Sequence, residues 1–151
     1  MIPSRISQRI VTNRLAIIDE LLRQIRTLPL EDVDLFLADH QSAAAESYLR
    51  RALEAVLDIG RHILAKGFAI GVTEYKEIAI KLRDRHALTA EEANLLFKMA
   101  GYRNRMVHFY HEITPDELFN ICATQLGDIE RIADAYRRWV NEHPELVDST
   151  L

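Results

Sequence analysis

The chain contains 151 residues, of which 48% are hydrophobic, and its 19 basic and 23 acidic side chains give a net charge of −4. This acidic balance excludes a basic protein that coats nucleic acid, so any polyanion must be bound by a local patch. The single cysteine, Cys122, excludes an internal disulfide framework and a multi-cysteine metal site, and no apolar run reaches the roughly 20 residues that span a bilayer. We therefore expect a cytoplasmic protein without a membrane segment.

The composition favours helices throughout. Five glycines and four prolines are few for a loop-rich β protein, and the abundant Leu, Ala, Ile, Arg and Glu residues favour helices. The length suits a single domain with a sizeable core. We predict an all-α antiparallel bundle of about five helices over residues 1–151, with one long central helix and a loose tail after about residue 142.

The first helix is predicted from the apolar spacing between Ile6 and Leu28. Either Ser4 or Ser7 can cap its start, and Pro29 ends it. The long central helix follows.

This central helix is predicted from about Glu31 to Lys66, with a bend near Gly60. Its alanines at positions 43–45 and 52 let another helix approach closely. They are interpreted as core contacts, with a homodimer contact as the alternative.

The next two helices are predicted from their start signals. Thr73 is expected to cap a short helix over residues 74–85. Thr89 and Glu92 form a capping-box pattern, which starts a helix that should end near His111. Residues 67–72, which connect the central helix to the short helix, contain two glycines but lack the spacing of a phosphate-binding loop.

The last helix is predicted to start at Thr114 and Pro115, since a capping threonine, a proline in the first turn and two following acids are typical of a helix start. It should continue to about Asn141.

The reactive side chains concentrate in residues 101–111, Gly-Tyr-Arg-Asn-Arg-Met-Val-His-Phe-Tyr-His. On an ideal helix with Arg103 at zero, the apolar side chains gather between about 240° and 320°, and His108 lies at about 140°, away from them. The histidine is thus not expected in the core. An ordinary solvated face that carries Arg, Asn and His is the alternative. The expected apolar stripe consists of Leu95, Met99, Tyr102, Met106 and Phe109.

The spacing of Arg103 and His108 alone carries little information, because Arg138 and His143 have the same spacing. The composition predicts about 0.6 such pairs by chance, but only about 0.02 with a tyrosine two residues further on. Tyr110 completes that triple.

Residues 103–110 resemble the Arg-x4-His-x-Tyr signature of HepT-type toxins, which belong to the HEPN superfamily of helical ribonucleases. The likeness extends through the lead-in from Leu88 to Gly101 and the helix start at residues 113–118, and covers most of residues 6–140. It implies a HEPN-like fold and a metal-independent endoribonuclease toxin that cleaves tRNA or mRNA and needs no cofactor. It also implies an MntA-like nucleotidyltransferase antitoxin as the partner.

The resemblance also implies roles for individual residues. Arg103 and His108 would be catalytic, Asn104 would support them, and Tyr110 would receive AMP from the antitoxin. An adenylyl group on Tyr110, about 10.5 Å along the helix from Arg103, would neutralise that arginine and obstruct the cleft.

Two neighbours of these residues, Arg105 and His111, are candidates for contacting RNA. A metal site at His108 and His111 is disfavoured, since no third ligand with suitable spacing follows. Cys122 is interpreted as a core residue and not as a nucleophile.

The chemistry of RNA cleavage agrees with these residue types. A base must take the 2′-OH proton, an acid must protonate the leaving 5′-oxygen, and a cation must stabilise the charge on phosphorus. One chain supplies one such histidine, and Arg103 and His108 diverge by about 140° on an ideal helix. We therefore predict a homodimer whose two motifs line one cleft. The alternative is a non-catalytic helical module that docks a nucleotidyltransferase or a nucleotide.

Overall fold

The fold is all-α, as predicted, with more helices than the five expected. The computed structural model describes residues 5–108 and 113–150. Over these residues there are seven α-helices: α1 Gln8–Arg26, α2 Val33–Leu37, α3 Gln41–Phe68, α4 Tyr75–Asp84, α5 Ala90–Val107, α6 Pro115–Thr124 and α7 Leu126–Glu142. No helix in this part of the chain is long and apolar enough to cross a membrane.

Helix α3 is the centre of the packing, because every other helix contacts it. One buried cluster contains apolar residues from all seven helices. Ala45 and Ala52 are fully buried in this cluster, as expected of core contacts, whereas Ala43 is exposed. Helix α3 ends at Phe68, and the left-handed backbone of its C-cap residue Ala69 (φ 55°) turns the chain away.

The start of the predicted central helix is wrong. Residues 33–37 form the separate helix α2, which Asp32 caps by accepting hydrogen bonds from the backbone N–H groups of Asp34 and Leu35. Asp39 then adopts a left-handed backbone (φ 52°), which interrupts the helix before α3 begins. Phe36 holds α2 on the core through an edge contact with Phe119 on α6, with ring centroids 5.2 Å apart.

Gly60 allows close packing between helices, and α3 continues through it without interruption. A Cβ atom at this position would lie 2.7 Å from the Tyr136 hydroxyl on α7 and 2.8 Å from Ile78 Cγ2 on α4. The missing side chain therefore lets both helices approach α3.

Three of the predicted helix caps are present. Ser7 accepts a hydrogen bond from the Ile10 backbone N–H, and Thr114 accepts one from Glu117. Thr89 and Glu92 form the complete capping box. The prediction for Thr73 is wrong, because α4 begins at Tyr75 and no side chain caps it.

The predicted last helix is divided into α6 and α7 at Gln125. The backbone of Gln125 (φ −122°, ψ 5°) is not helical, and its side-chain oxygen accepts a hydrogen bond of 2.8 Å from the Tyr102 hydroxyl. Residue 125 therefore joins the end of α6 to α5.

The residues after 142 are more ordered than the loose tail that we expected. Pro144–Leu146 form a 3-10 helix. The two-residue strand β2 (Val147–Asp148) then pairs in parallel with β1 (Ile6–Ser7). The backbone N–H of Ser7 also donates a hydrogen bond of 3.0 Å to His62 Nε2, so this strand pair is attached to α3.

Cys122 lies on α6 and is almost completely buried. Burial raises the pKa of its thiol to about 12, which agrees with the core position predicted for it.

Candidate active site

The motif residues lie at the C-terminal end of α5. The helix ends at Val107, four residues earlier than predicted, and His108 is its C-cap residue with an extended backbone (φ −89°, ψ 123°). The His108 backbone N–H still donates to the Asn104 carbonyl at 3.0 Å, while its side chain is exposed. Two of the predicted site residues, Tyr110 and His111, lie outside the described residues.

The buried face of α5 differs from the predicted stripe. Met99 is buried as predicted, and Phe109 lies outside the described residues. Leu95, Tyr102 and Met106 are only partly buried, whereas Leu96 and Ala100 are fully buried and lie at about 20° and 60° from Arg103 on the helical wheel. Helix α5 packs against α3, α4 and α7, and its fully buried residues lie closer to Arg103 on the wheel than the predicted stripe did. Arg103 therefore leaves the helix beside its buried face.

Arg103 contacts two helices. Its guanidinium carbon lies 4.3 Å from the centroid of the Tyr75 ring on α4, and its Nη2 atom lies 3.8 Å from a carboxylate oxygen of Glu54 on α3. The side chain is only 21% exposed, and its Nε atom is buried without a hydrogen-bond partner in the described part of the chain. The ring and the carboxylate thus restrict the position of the guanidinium.

The carboxylate of Glu54 belongs to a row of charged side chains along α3. Arg50 donates a hydrogen bond of 2.9 Å to Glu54, and Arg61 lies 3.7 Å from Asp58. Arg61 also lies over the Tyr75 ring, with its guanidinium carbon 4.7 Å from the centroid. Tyr75 therefore has two arginines within cation–π distance.

Burial raises the pKa of Asp58, and the positive charges of Arg61, Arg14 and Arg103 oppose that shift. Asp58 is thus close enough to sense arginines on α1, α3 and α5. This cluster was not predicted from the sequence. Its signal was the spacing of Arg50, Glu54, Asp58 and Arg61, since steps of three and four residues place side chains on one helix face.

Arg105 has a different environment from Arg103. It donates two hydrogen bonds, of 2.6 and 2.7 Å, to the carboxylate of Glu117 on α6. These hydrogen bonds raise the pKa of Arg105 and lower that of Glu117. The pair joins the end of α5 to the start of α6, so Arg105 could contact RNA only by exchanging this partner.

The second Arg-x4-His pair has ordinary structural contacts. Arg138 donates a hydrogen bond of 2.9 Å to Glu92, and the ring of His143 stacks on Trp139 with centroids 4.4 Å apart. This agrees with the conclusion that an arginine and a histidine at this spacing do not by themselves indicate a functional site.

Few other features near the motif suggest a ligand. A pocket of about 150 Å³ is lined by Glu46, Met106, Ile113 and Leu118. Within residues 5–108 and 113–150, no cluster of three or more His, Cys, Asp or Glu side chains could hold a metal ion. Arg103 and His108 form no hydrogen bond with each other in this part of the chain.

The family profile described as Ribonuclease HepT-like matches residues 15–136. The chain belongs to this HepT-like family. A curated relative, the tRNA nuclease HepT of Aphanizomenon flos-aquae, is 31% identical over 111 residues, which is 73% of this chain and 76% of the relative. The predicted family and the prediction of an endoribonuclease are therefore confirmed.

Solved structures of similar fold include a HEPN toxin and a cytosolic protein of unknown function. The tri-AMPylated HEPN toxin of Shewanella oneidensis, solved in complex with an MNT antitoxin, is 25% identical with a TM-score of 0.77, over 85% of this chain and 97% of that toxin. The cytosolic protein YutE of Bacillus subtilis is 18% identical with a TM-score of 0.78, over 95% of this chain and 96% of YutE, which shows the fold alone.

Proposed function

We propose that this HepT-like endoribonuclease is the toxin of a toxin–antitoxin pair, and that it cleaves RNA without a metal ion through Arg103 and His108. The observation that carries the proposal is the placement of Arg103, whose guanidinium is held by Tyr75 and Glu54 only five residues before the exposed His108. A fixed cation and an accessible imidazole are the groups that phosphodiester cleavage requires.

In the proposed reaction the RNA 2′-oxygen attacks the adjacent phosphorus and the bond to the 5′-oxygen breaks. The products are a 2′,3′-cyclic phosphate and a free 5′-hydroxyl. A base accepts the proton of the 2′-OH, and an acid donates one to the leaving oxygen. His108 performs one of these transfers, Arg103 stabilises the negative charge that develops on the phosphate oxygens, and Asn104 supports them.

The two proton transfers lead us to propose a homodimer. One chain supplies one motif histidine, and a two-fold axis would place a second on the other side of the phosphate. The angle of 140° between Arg103 and His108 no longer supports this idea, because α5 ends before His108. The reason to expect a homodimer is therefore that cleavage needs two proton-transfer groups and each chain supplies one motif histidine.

The curated relative is named a tRNA nuclease, which supports tRNA over mRNA as the substrate class. We take tRNA as the first substrate to test. Arg105 and His111 remain candidates for RNA contacts, and Arg105 would have to leave Glu117 to make one.

The central test is cleavage of tRNA in the presence of EDTA by the wild type, His108→Ala and His40→Ala. His108 is exposed, so the substitution should leave the fold intact, and loss of a proton-transfer group should slow cleavage about 10²- to 10⁴-fold. His40 is also exposed but lies outside the motif, and His40→Ala should cleave normally.

Undiminished cleavage by His108→Ala would exclude its proposed role. Light scattering on the active sample should give twice the chain mass of 17.4 kDa, and an active monomer would contradict the shared site.

We further propose that an MntA-like nucleotidyltransferase antitoxin neutralises this toxin by adding AMP to Tyr110. The solved Shewanella toxin is AMPylated and bound to an MNT antitoxin, which supports the proposal. Co-expression with such an enzyme should increase the intact mass in steps of AMP and abolish cleavage. The increase should disappear in Tyr110→Phe but persist in Tyr102→Phe, and a gain that persists in Tyr110→Phe would place the modification elsewhere.

A further inference from the structure

Arg61 lies outside the Arg-x4-His-x-Tyr motif, yet it shares an arrangement with the motif residue Arg103. They come from α3 and α5, and their guanidinium groups lie 4.7 and 4.3 Å from the centroid of the same Tyr75 ring. Both distances end at one ring, so the two guanidinium carbons lie at most 9.0 Å apart. Like charges at such separation repel unless an anion compensates them.

The carboxylates beside them compensate this charge only in part. Arg61 lies 3.7 Å from Asp58 and Arg103 lies 3.8 Å from Glu54, whereas Arg105 donates hydrogen bonds of 2.6 and 2.7 Å to Glu117. A separation near 4 Å is too long for a hydrogen bond. The donors of Arg61 and Arg103 are therefore not used by their acidic neighbours.

The buried part of each side chain is also unpaired. The Nε atoms of Arg61 and Arg103 are buried and have no hydrogen-bond partner in the described part of the chain. Glu54 is already hydrogen-bonded to Arg50, and the charge of Arg14 on α1 also acts on Asp58, so the arginines around these two carboxylates outnumber them. The cluster has an excess positive charge and unused N–H donors.

A phosphodiester group has the chemistry that this cluster lacks. It carries one negative charge and several acceptor oxygens, and guanidinium groups bind such oxygens through paired N–H donors. The ring of Tyr75 gives both guanidinium groups a common support. It orders them before the ligand arrives, which reduces the entropy cost of binding.

We infer that Arg61 is a second RNA-binding arginine of the site and contacts the phosphate next to the one that Arg103 serves. The inference rests on the proposed ribonuclease function. It assigns Tyr75 as the positioning residue for both arginines and extends the site from the α5 motif onto α3.

The test measures binding of tRNA to the His108→Ala chain, which leaves the RNA uncut, at a series of salt concentrations. Each lost phosphate contact should reduce the slope of log affinity against log salt by about 0.7 to 0.9. Arg61→Ala should show this reduction and about tenfold weaker binding at low salt. Arg51→Ala is the matched control, because Arg51 is exposed on the same helix and has the same charge.

A double variant separates direct contact from an effect on Arg103. If Arg61 contacts phosphate itself, adding Arg61→Ala to Arg103→Ala should reduce the slope further. If it acts only by positioning Arg103, the double variant will bind like Arg103→Ala, and the inference is overturned. Arg61→Lys keeps the charge and should keep most of the slope, which guards against a loss caused by misfolding.

The outcomes also separate this inference from the proposed function. If the His108→Ala chain binds no tRNA at any salt concentration, the RNA-directed function and the inference both fail. If it binds with a slope that Arg61→Ala leaves unchanged, only the role of Arg61 fails.

Discussion

Tyr136 on α7 is completely buried, yet its hydroxyl has no hydrogen-bond partner within the described residues. Burial accordingly raises the pKa of this phenol. A buried hydroxyl without a partner costs about 1 to 3 kcal/mol in folding free energy. The hydroxyl is accommodated sterically because Gly60 has no Cβ atom, and not because a polar group receives it.

We therefore expect Tyr136→Phe to raise the free energy of unfolding by about 1 kcal/mol in urea titrations. Tyr102→Phe is the matched control, because the Tyr102 hydroxyl donates to Gln125 and its removal should lower stability by about the same amount. Equal losses in both variants would show that the Tyr136 hydroxyl contributes favourably.

For individual residues, the sequence identified the members of the motif but not their contacts. The spacing of Arg103, His108 and Tyr110 could be recognised in the linear chain. The roles of Tyr75 and Arg61 could not, since they depend on how α3, α4 and α5 pack. The helical wheel also placed the buried face of α5 too far from Arg103. The prediction followed the large apolar side chains, whereas the observed buried face also includes small residues such as Ala100.

Helix caps show which element boundaries a sequence can predict. The Thr89 hydroxyl accepts a hydrogen bond from the Glu92 backbone N–H, and the Glu92 carboxylate accepts one from the Thr89 backbone N–H, while Thr73 makes no such contact with α4. Burial raises the pKa of Glu92, but its hydrogen bonds with the Thr89 backbone and Arg138 outweigh this and hold the pKa below its usual value. The capping carboxylate is therefore charged at neutral pH.

We expect Thr89→Ala to lower the free energy of unfolding by about 1 kcal/mol, as is typical for loss of an N-cap. Thr73→Ala, the same change at an exposed threonine before α4, should alter it by less than about 0.5 kcal/mol. Equal effects of the two substitutions in thermal or urea unfolding would refute the assigned difference between the caps.

Other boundaries were not predictable because they depend on single backbone conformations. The left-handed turn at Asp39 and the non-helical backbone at Gln125 divide two predicted helices. Neither position has a glycine or proline, which are the usual signals of such a break. Both breaks are accompanied by contacts between helices, of Phe36 with Phe119 and of Tyr102 with Gln125, which local sequence does not reveal.

For the whole molecule, the helical class and the family were predictable because both follow from features that persist along the chain. Composition and apolar spacing determine the class, and the motif with its flanking helix starts indicates the family. The pairing of β1 with β2 was not predictable, because residues 6–7 and 147–148 are far apart in sequence and each strand has only two residues.

The burial of Cys122 gives the molecule an internal reporter of its own opening. A thiol reagent can reach this sulfur only when the structure around α6 opens, and the raised pKa keeps the closed form unreactive. The rate of labelling, compared with that of the unfolded chain, therefore measures the free energy of opening. Since the sequence has no other cysteine, the mass added by the reagent reports on this one site, and mass spectrometry could compare the conformational stability of variants under native conditions, without denaturant.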